Sequence, residues 1–391
     1  MGRSWGQSFP SIPLFHHSSI PFSQHHGFGI GQVKLLPPGG AGPERVRLRM
    51  TMHLHTCKTG FEKNLSRELQ FHGERAQRSG PGWVLAEVEE GTAAEDGADP
   101  GFCFAMESVL DARLVEVGSA NQTAEALCQA VWQGFEGQEV STPWLLRLLA
   151  DDEELGGRLR VVRSEFRKRM RRKMARLAGL AEESLAEKPD VWRGLYGRLI
   201  SYGELLVGNV VRDWGQRRMK DEKGAPSRSF LKVEEAYGIL GRAPTHGQSV
   251  VDLGAAPGGW SFSAAERGAL VQSVDNGPLK GGAKGHPGID HIREDGFRFR
   301  PQKNGVDWLF CDLIADPYLV LDDILLRWLD HGWCRSFVVN LKVGKMDPIV
   351  LLRHLLGTGE RSLVGRCGQL YIRQLFHDRE EITCMGELGR G

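Results

Sequence analysis

The chain has 391 residues, 41% of them hydrophobic and 25% charged, with 50 basic and 49 acidic side chains for a formal net charge of +1. That length allows two or three domains with cores of their own, and the balance excludes a bulk-disordered or collagen-like chain. No run approaches the ~20 apolar residues of a membrane span, and no cationic start leads into an apolar segment, so neither a membrane nor a secreted class is expected.

Residues 1–49 are rich in Ser, Pro, Gly and His, lack helical or strand periodicity, and close on Pro37-Pro38-Gly39-Gly40. They read as a low-complexity extension without fixed structure, with Met50 or Met52 as an alternative start. The pairs His16-His17 and His25-His26 have no Cys or carboxylate at ligand spacing, so no metal is assigned. From 50 to 220 the pattern is α+β: strands are expected at 52–57, 83–88, 158–162 and 197–207, helices at 61–71, 122–135 and 166–180. Between Val161 and Arg176, eight basic residues (Arg163, Arg167, Lys168, Arg169, Arg171, Arg172, Lys173, Arg176) stand against the single Glu165. Phe166, Met170 and Met174 recur every four residues, so this is an amphipathic helix with cationic flanks, either a solvated face or a phosphate-binding one. Lys220 to Pro226 forms a linker. The cysteines at 57, 103, 128, 311, 334, 367 and 384 make no Cys-x-x-Cys pair and read as reduced core thiols in a cytoplasmic chain.

The part from 223 to 391 reads as a Rossmann-like α/β domain. Val251 to Trp260, Val-Asp-Leu-Gly-Ala-Ala-Pro-Gly-Gly-Trp, is a strand end, an acid and a glycine-rich turn opening a helix. A dinucleotide site would space its glycines Gly-x-Gly-x-x-Gly, whereas here Gly254 is followed by Pro257, Gly258 and Gly259. That spacing suits S-adenosylmethionine, which has no pyrophosphate to cradle but has an amino acid end needing close backbone approach and an acidic partner. On this reading Asp252, Gly254, Ala256, Pro257, Gly258, Gly259 and Trp260 form the cofactor turn. Asp275, ~20 residues on, would grip the ribose diol. Asp295 would accept from the adenine amino group. Two further apolar strands end at Asp312 and Lys342, and the carboxyl ends of such strands line one crevice. The glycine-rich stretch 277–288, with Lys280 and Lys284, would be a mobile cover.

Several segments carry a resemblance to a known family: Ser227 to Ala236 (Ser-Arg-Ser-Phe-Leu-Lys-Val-Glu-Glu-Ala), Asp252 to Trp260, Ser273 to Pro278, Arg293 to Arg300, Gly332 to Arg335, Asn340-Leu341-Lys342 and His377 to Glu381. Together they resemble the FtsJ-like RNA 2'-O-ribose methyltransferases, and within them the RlmM-type enzymes of large-subunit ribosomal RNA. The likeness spans most of 225–385 and extends weakly to Gly60-Phe61-Glu62-Lys63. It implies a class I methyltransferase domain preceded by a THUMP-containing RNA-binding region. It also implies a catalytic tetrad of Lys232, Asp312, Lys342 and Glu381, and cofactor contacts at Ser229, 256–259, Asp275, Asp295 and Asp312. Lys342 would be the general base, Asp312 its orienting partner. A lysine serves as base only when its neutral amine is populated, which the like charge of Lys232 and partial desolvation would favour. Glu380 competes with Glu381; Glu381 is preferred because Ile382 after it continues a strand alternation.

The implied activity is S-adenosylmethionine-dependent 2'-O-methylation of a cytidine in 23S rRNA, by a monomer holding RNA partly through Arg163, Arg167, Lys168, Arg171, Arg172 and Lys173. Rival readings are 2'-O-methylation of another RNA, an inactive RNA-binding assembly factor, or a small-molecule methyltransferase. Ala256 stands where the family often has cysteine, and Val343 to Asp347 replaces a more basic stretch.

Overall fold

The computed structural model describes residues 50–89, 101–185, 189–301 and 305–389, and within them the apolar pattern sorts into two sheets. The expectations for 1–49 lie outside the described residues. The first sheet uses β1 (Met50–Thr56), β2 (Arg75–Gly80), β3 (Trp83–Glu89), β4 (Glu107–Val109), β5 (Arg113–Glu116), β6 (Trp144–Ala150), β7 (Ala181–Glu182), β8 (Val191–Leu199) and β9 (Glu204–Asp213). Their order is β2-β3-β1-β4-β9-β8-β6-β7, with β5 also on β9. The helices are α1 (Glu62–Phe71), α2 (Ala120–Phe135), α3 (Glu153–Lys173) and α4 (Ala175–Leu180).

Three local expectations differ from the fold. Residues 158–162 are not a strand but the second turn of α3, because Leu155, Leu159, Val162, Phe166 and Met170 are buried along one helical stripe. Asp152 caps that helix by accepting from the Leu155 N–H at 2.7 Å. The long strand expected at 197–207 is a hairpin, β8 and β9, turned at Ser201-Tyr202-Gly203 with the Ile200 N–H donating to the Glu204 carbonyl. The helix expected at 166–180 breaks at Met174, between α3 and α4. β6 was not foreseen. Its run Trp-Leu-Leu-Arg-Leu-Leu-Ala is nearly continuous in apolar residues, as a strand covered on both faces must be, and it pairs in parallel with β8 and β7.

The second sheet follows α5 (Phe230–Leu240). It comprises β10 (Ser249–Leu253), β11 (Leu270–Val274), β12 (Ile289–Ile292), β13 (Val306–Cys311), β14 (Cys334–Lys342), β15 (Cys367–Arg373) and β16 (Glu381–Leu388). The order β12-β11-β10-β13-β14-β16-β15 places five parallel strands first, then β16 antiparallel to β14 and β15 antiparallel to β16. Chain direction across the sheet reverses between β10 and β13, the switch point where open α/β sheets bind ligands. Flanking helices are α6 (Gly259–Ala265), α7 (Pro317–Val320) and α8 (Arg327–Asp330) around a π turn, and α9 (Pro348–Leu356). Among the described residues no helix is long and apolar enough to cross a membrane, and all seven cysteines are free thiols, six of them buried.

The cores of the two sheets are not separate. Leu65 and Leu69 of α1, Val84 and Ala86 of β3, and Cys103 and Phe104 belong to the same buried cluster as Phe337, Leu341, Leu352 and Ile382 of the second sheet. Polar ties pin this junction. The Glu68 carboxylate, 1% exposed, accepts from the Cys103 and Phe104 amides; the Gln374 N–H donates to the Cys103 carbonyl at 2.8 Å; and Arg67 makes a two-pronged bridge to Asp347. A fragment beginning at residue 223 would expose this face to water. The full chain is therefore expected to unfold in one transition, coincident by far-ultraviolet circular dichroism and tryptophan fluorescence, while the fragment aggregates. Two well-separated transitions in the full chain would show that the halves fold independently.

Candidate active site

The turn after β10 is shaped by glycines. Gly254 (φ +75°) and Gly258 (φ +106°) hold left-handed conformations that a side chain would strain, and the Ala256–Pro257 bond is cis. Gly259 answers a different demand: a Cβ there would lie 2.7 Å from Ser229 Oγ and 3.0 Å from the Phe230 amide nitrogen. The segment 227–230 thus lies directly against the turn, held by the Trp260 indole N–H donating to the Ser229 carbonyl and by a Ser227–Ser229 hydroxyl contact. The stretch 277–288 is packed, not loose. Leu279 and Ala283 are buried, and amides of Lys280 and Gly282 donate to the carbonyls of Pro257 and Gly224. The expected mobile cover is instead part of the turn's wall.

The acidic residues divide into two groups. Asp275 stands at the end of β11 and accepts from the Ala256 amide with one oxygen and the Gly277 amide with the other. Asp295 is exposed after β12, with the Phe297 amide on one oxygen. Asp312 follows β13. These three ring the crevice. Asp252 does not: it is 1% exposed, accepts from Ser261 Oγ, and that hydroxyl takes Ser273 Oγ in turn. Burial pushes its carboxyl up to about 7 against the pull of Ser261. Trp260 is likewise buried, its ring edge-on to Phe310. Both side chains are buried beneath the turn.

The tetrad residues form one connected chain of charges. Lys342 Nζ donates to Asp312 Oδ1 and lies 3.1 Å from Glu381 Oε1, and Lys232 Nζ lies 3.0 Å from Glu381 Oε2. Glu381 therefore bridges both ammonium groups. Register places it there, since Lys342 on β14 pairs directly with Glu381 on β16. Glu380 makes neither contact: its carbonyl accepts the Val343 amide while its side chain is exposed. Burial alone would raise the Glu381 carboxyl, but the Arg379 amide, Lys232 and Lys342 outweigh it and hold it at about 2. Burial would lower Lys342, yet the charge and hydrogen bond of Asp312, then Glu381, outweigh that and hold the ammonium above its ordinary value. The expected depression of Lys342 by Lys232 is thus absent here, because a carboxylate stands between the two cations.

Asp378 and Asn340 lie in segments that carry the resemblance, but the sequence assigns neither a role. Asp378 is fully buried, 3.6 Å from Lys232 through Oδ1, and accepts from the Leu375 amide and Thr383 hydroxyl through Oδ2. Asn340, two residues before Lys342 on the same strand face, donates to Asp312 Oδ1 at 3.1 Å. Strand alternation would have pointed to Asn340; nothing local marks Asp378.

On α3 much of the basic charge is already paired. Arg163 and Arg167 bridge to Glu183, Lys168 to Glu165, and Lys173 with Arg169 to Glu125. Arg171 and Arg172 are exposed with no ion pair among the described residues.

The split among the acids generates a paired test. Asp275→Ala should weaken S-adenosylmethionine binding by roughly 2 to 4 kcal/mol, as for a lost charged acceptor, while Asp252→Asn should leave it within a few-fold. Calorimetry giving the reverse order would exchange the two roles.

Comparison with known proteins agrees with the topology. The FtsJ-like methyltransferase family matches residues 225–331, a span holding Lys232, the glycine turn, Asp275 and Asp312. A ribosomal RNA large subunit methyltransferase M of Alkalilimnicola ehrlichii is 32% identical over 86% of this chain and 94% of its own length. Enzymes of the same name from Laribacter hongkongensis and Halorhodospira halophila are 39% and 42% identical over 52% and 43% of this chain, spanning 62% and 49% of their own lengths. With a switch-point crevice, a glycine turn and a relative matched along nearly its whole length, the chain belongs to the family of ribosomal RNA large subunit methyltransferases M.

Proposed function

We propose that this chain methylates the ribose 2'-hydroxyl of a cytidine in large-subunit (23S) ribosomal RNA, using S-adenosylmethionine. The observation that carries this reading is the chain Asp312–Lys342–Glu381–Lys232 at the carboxyl ends of the parallel strands, beside the glycine turn. A bound S-adenosylmethionine would supply a methyl group on a sulfonium, and the residues ringing the crevice suit it. The glycine turn presents backbone without side chains, Asp275 and Asp295 offer acceptors to hydroxyl and amino groups, and Asp312 offers negative charge.

An alcohol is a poor nucleophile, so the site must hold its oxygen and take its proton. Lys342 and Lys232 both carry N–H groups able to hold that oxygen, and Glu381 fixes their spacing. In the resting arrangement Lys342 is an ammonium. A positive charge brought to the open side of Asp312 weakens its hold on Lys342, lowering the pKa in the direction a base requires. The 50–220 region is read as the THUMP-containing RNA-binding half, supported by the exposed Arg171 and Arg172 on α3, which have no ion pair among the described residues.

Lys342→Ala should abolish methyl transfer while leaving S-adenosylmethionine affinity within a few-fold by calorimetry. In the parent, the single-turnover rate should rise with pH through the neutral range as the Lys342 amine is freed. Mapping 2'-O-methyl positions in rRNA with and without the protein tests the site of transfer; near-parental turnover of the variant would remove Lys342 from the mechanism. Arg171→Glu with Arg172→Glu should weaken rRNA binding and lower its log-log salt slope by about one unit per lost phosphate contact. Unchanged binding across a salt titration would return α3 to a solvated face.

A further inference from the structure

A cleft of about 390 Å³ opens beside the tetrad, between the start of α1 and the loop that follows β14. Its volume falls in the range of about 300–1,000 Å³ found for small-molecule sites, enough for a nucleoside and too small for a folded element. Glu381 lines it, so the cleft and the two lysines share a wall. Phe61 and Asn64 contribute from the first half of the chain, Val343 and Met346 from the catalytic half, and Gln374 from the segment after β15.

Three features of the lining select its occupant. The Phe61 ring lies nearly parallel to Phe104, centroids 6.0 Å apart and planes 18° from one another. Phe104 is buried, Phe61 is partly exposed, and both rings line the cleft, an apolar surface on which a flat ring can stack. Gln374 is 1% exposed, its amide N–H donates to the Arg379 carbonyl, and its Oε1 has no hydrogen-bond partner among the described residues. An amide oxygen withdrawn from water and left without a donor is costly unless a ligand supplies one. Glu381, which also lines the cleft, adds a carboxylate acceptor. A lining so weighted toward acceptors favours a ring edge that carries an amino group and repels one that carries a carbonyl.

We propose that this cleft holds the base of the nucleotide being methylated, stacked on Phe61 and read at its amino edge by Gln374. The inference rests on the 2'-O-methylation reading above. It makes the first half of the chain part of the substrate site, because Phe61 and Asn64 approach the tetrad across the shared core. Cytosine, with its exocyclic amine, satisfies the free acceptor; uracil, with a carbonyl at the same place, does not.

The test uses the full chain and a 23S rRNA transcript, carrying either cytidine or uridine at the position found by mapping. Phe61→Leu keeps apolar volume and removes the stacking surface, and should lower kcat/KM for the cytidine transcript about 5- to 150-fold, the span of one base–aromatic stack. S-adenosylmethionine affinity and Tm should stay near those of the parent. Gln374→Leu should collapse the cytidine-to-uridine rate ratio towards one, a readout that a packing defect common to both transcripts would not move. Variants that keep both the parental rate and the parental ratio would overturn the cleft assignment while leaving the methylation reading intact. A parent that transfers no methyl group to either transcript would overturn that reading first.

Discussion

Glu381 sits between two ammonium groups, and the geometry of the candidate site follows from that bridge. Lys232 comes from α5 and Lys342 from the end of β14, 110 positions apart in sequence (342 − 232), and without a carboxylate between them the two cations would repel. The antiparallel pairing of β16 with β14 places Lys342 directly opposite Glu381, so sheet register sets the spacing of the charges. A one-residue slip would turn Glu381 to the other face and bring Glu380 or Ile382 into its place.

The same strand arrangement explains why the first half of the chain matters to the site. Arg373 ends β15 and Gln374, just after it, donates its backbone N–H to Cys103; the amides of Cys103 and Phe104 are held by the buried Glu68 of α1. Lys58, just beyond β1, reaches the carbonyls of Phe376 and Asp378, the backbone that leads into β16. Burial draws the Lys58 ammonium below its ordinary value, against the opposing pull of Asp378. The loop presenting Glu381 is thus braced from the 50–110 region, which couples the rigidity of the tetrad to the junction between the sheets.

Much of the catalytic half was legible in the sequence because its signals are local. The turn from Gly254 to Gly259 follows from positive φ angles and one close backbone approach, demands that only glycine meets. The apolar strands ending at Asp312 and Lys342 follow from length and composition. The choice of Glu381 over Glu380 followed from alternation alone and agrees with the observed register. In the first half, short apolar runs misled: 158–162 has a strand-like composition, yet its helical identity comes from a stripe running from Leu155 to Met170 that a five-residue window does not contain.

What the sequence determined by itself is what depends on neighbours a few residues apart: the glycine turn and the identity of the charged groups at strand ends. Tertiary structure alone decided which of those charges meet. Asp252 and Asp275 each follow or end an apolar run, but only folding puts one beneath Ser261 and the other at the crevice. Lys232 and Lys342 look like two mutually repelling cations until β16 inserts Glu381 between them. Phe61 and Gln374, 313 positions apart by their numbering (374 − 61), share a cleft only because the two sheets share a core. Long-range electrostatics and packing depend on distances that no spacing along the chain records, and so the charge state of Lys342 and the shape of the cleft became visible only in the folded chain.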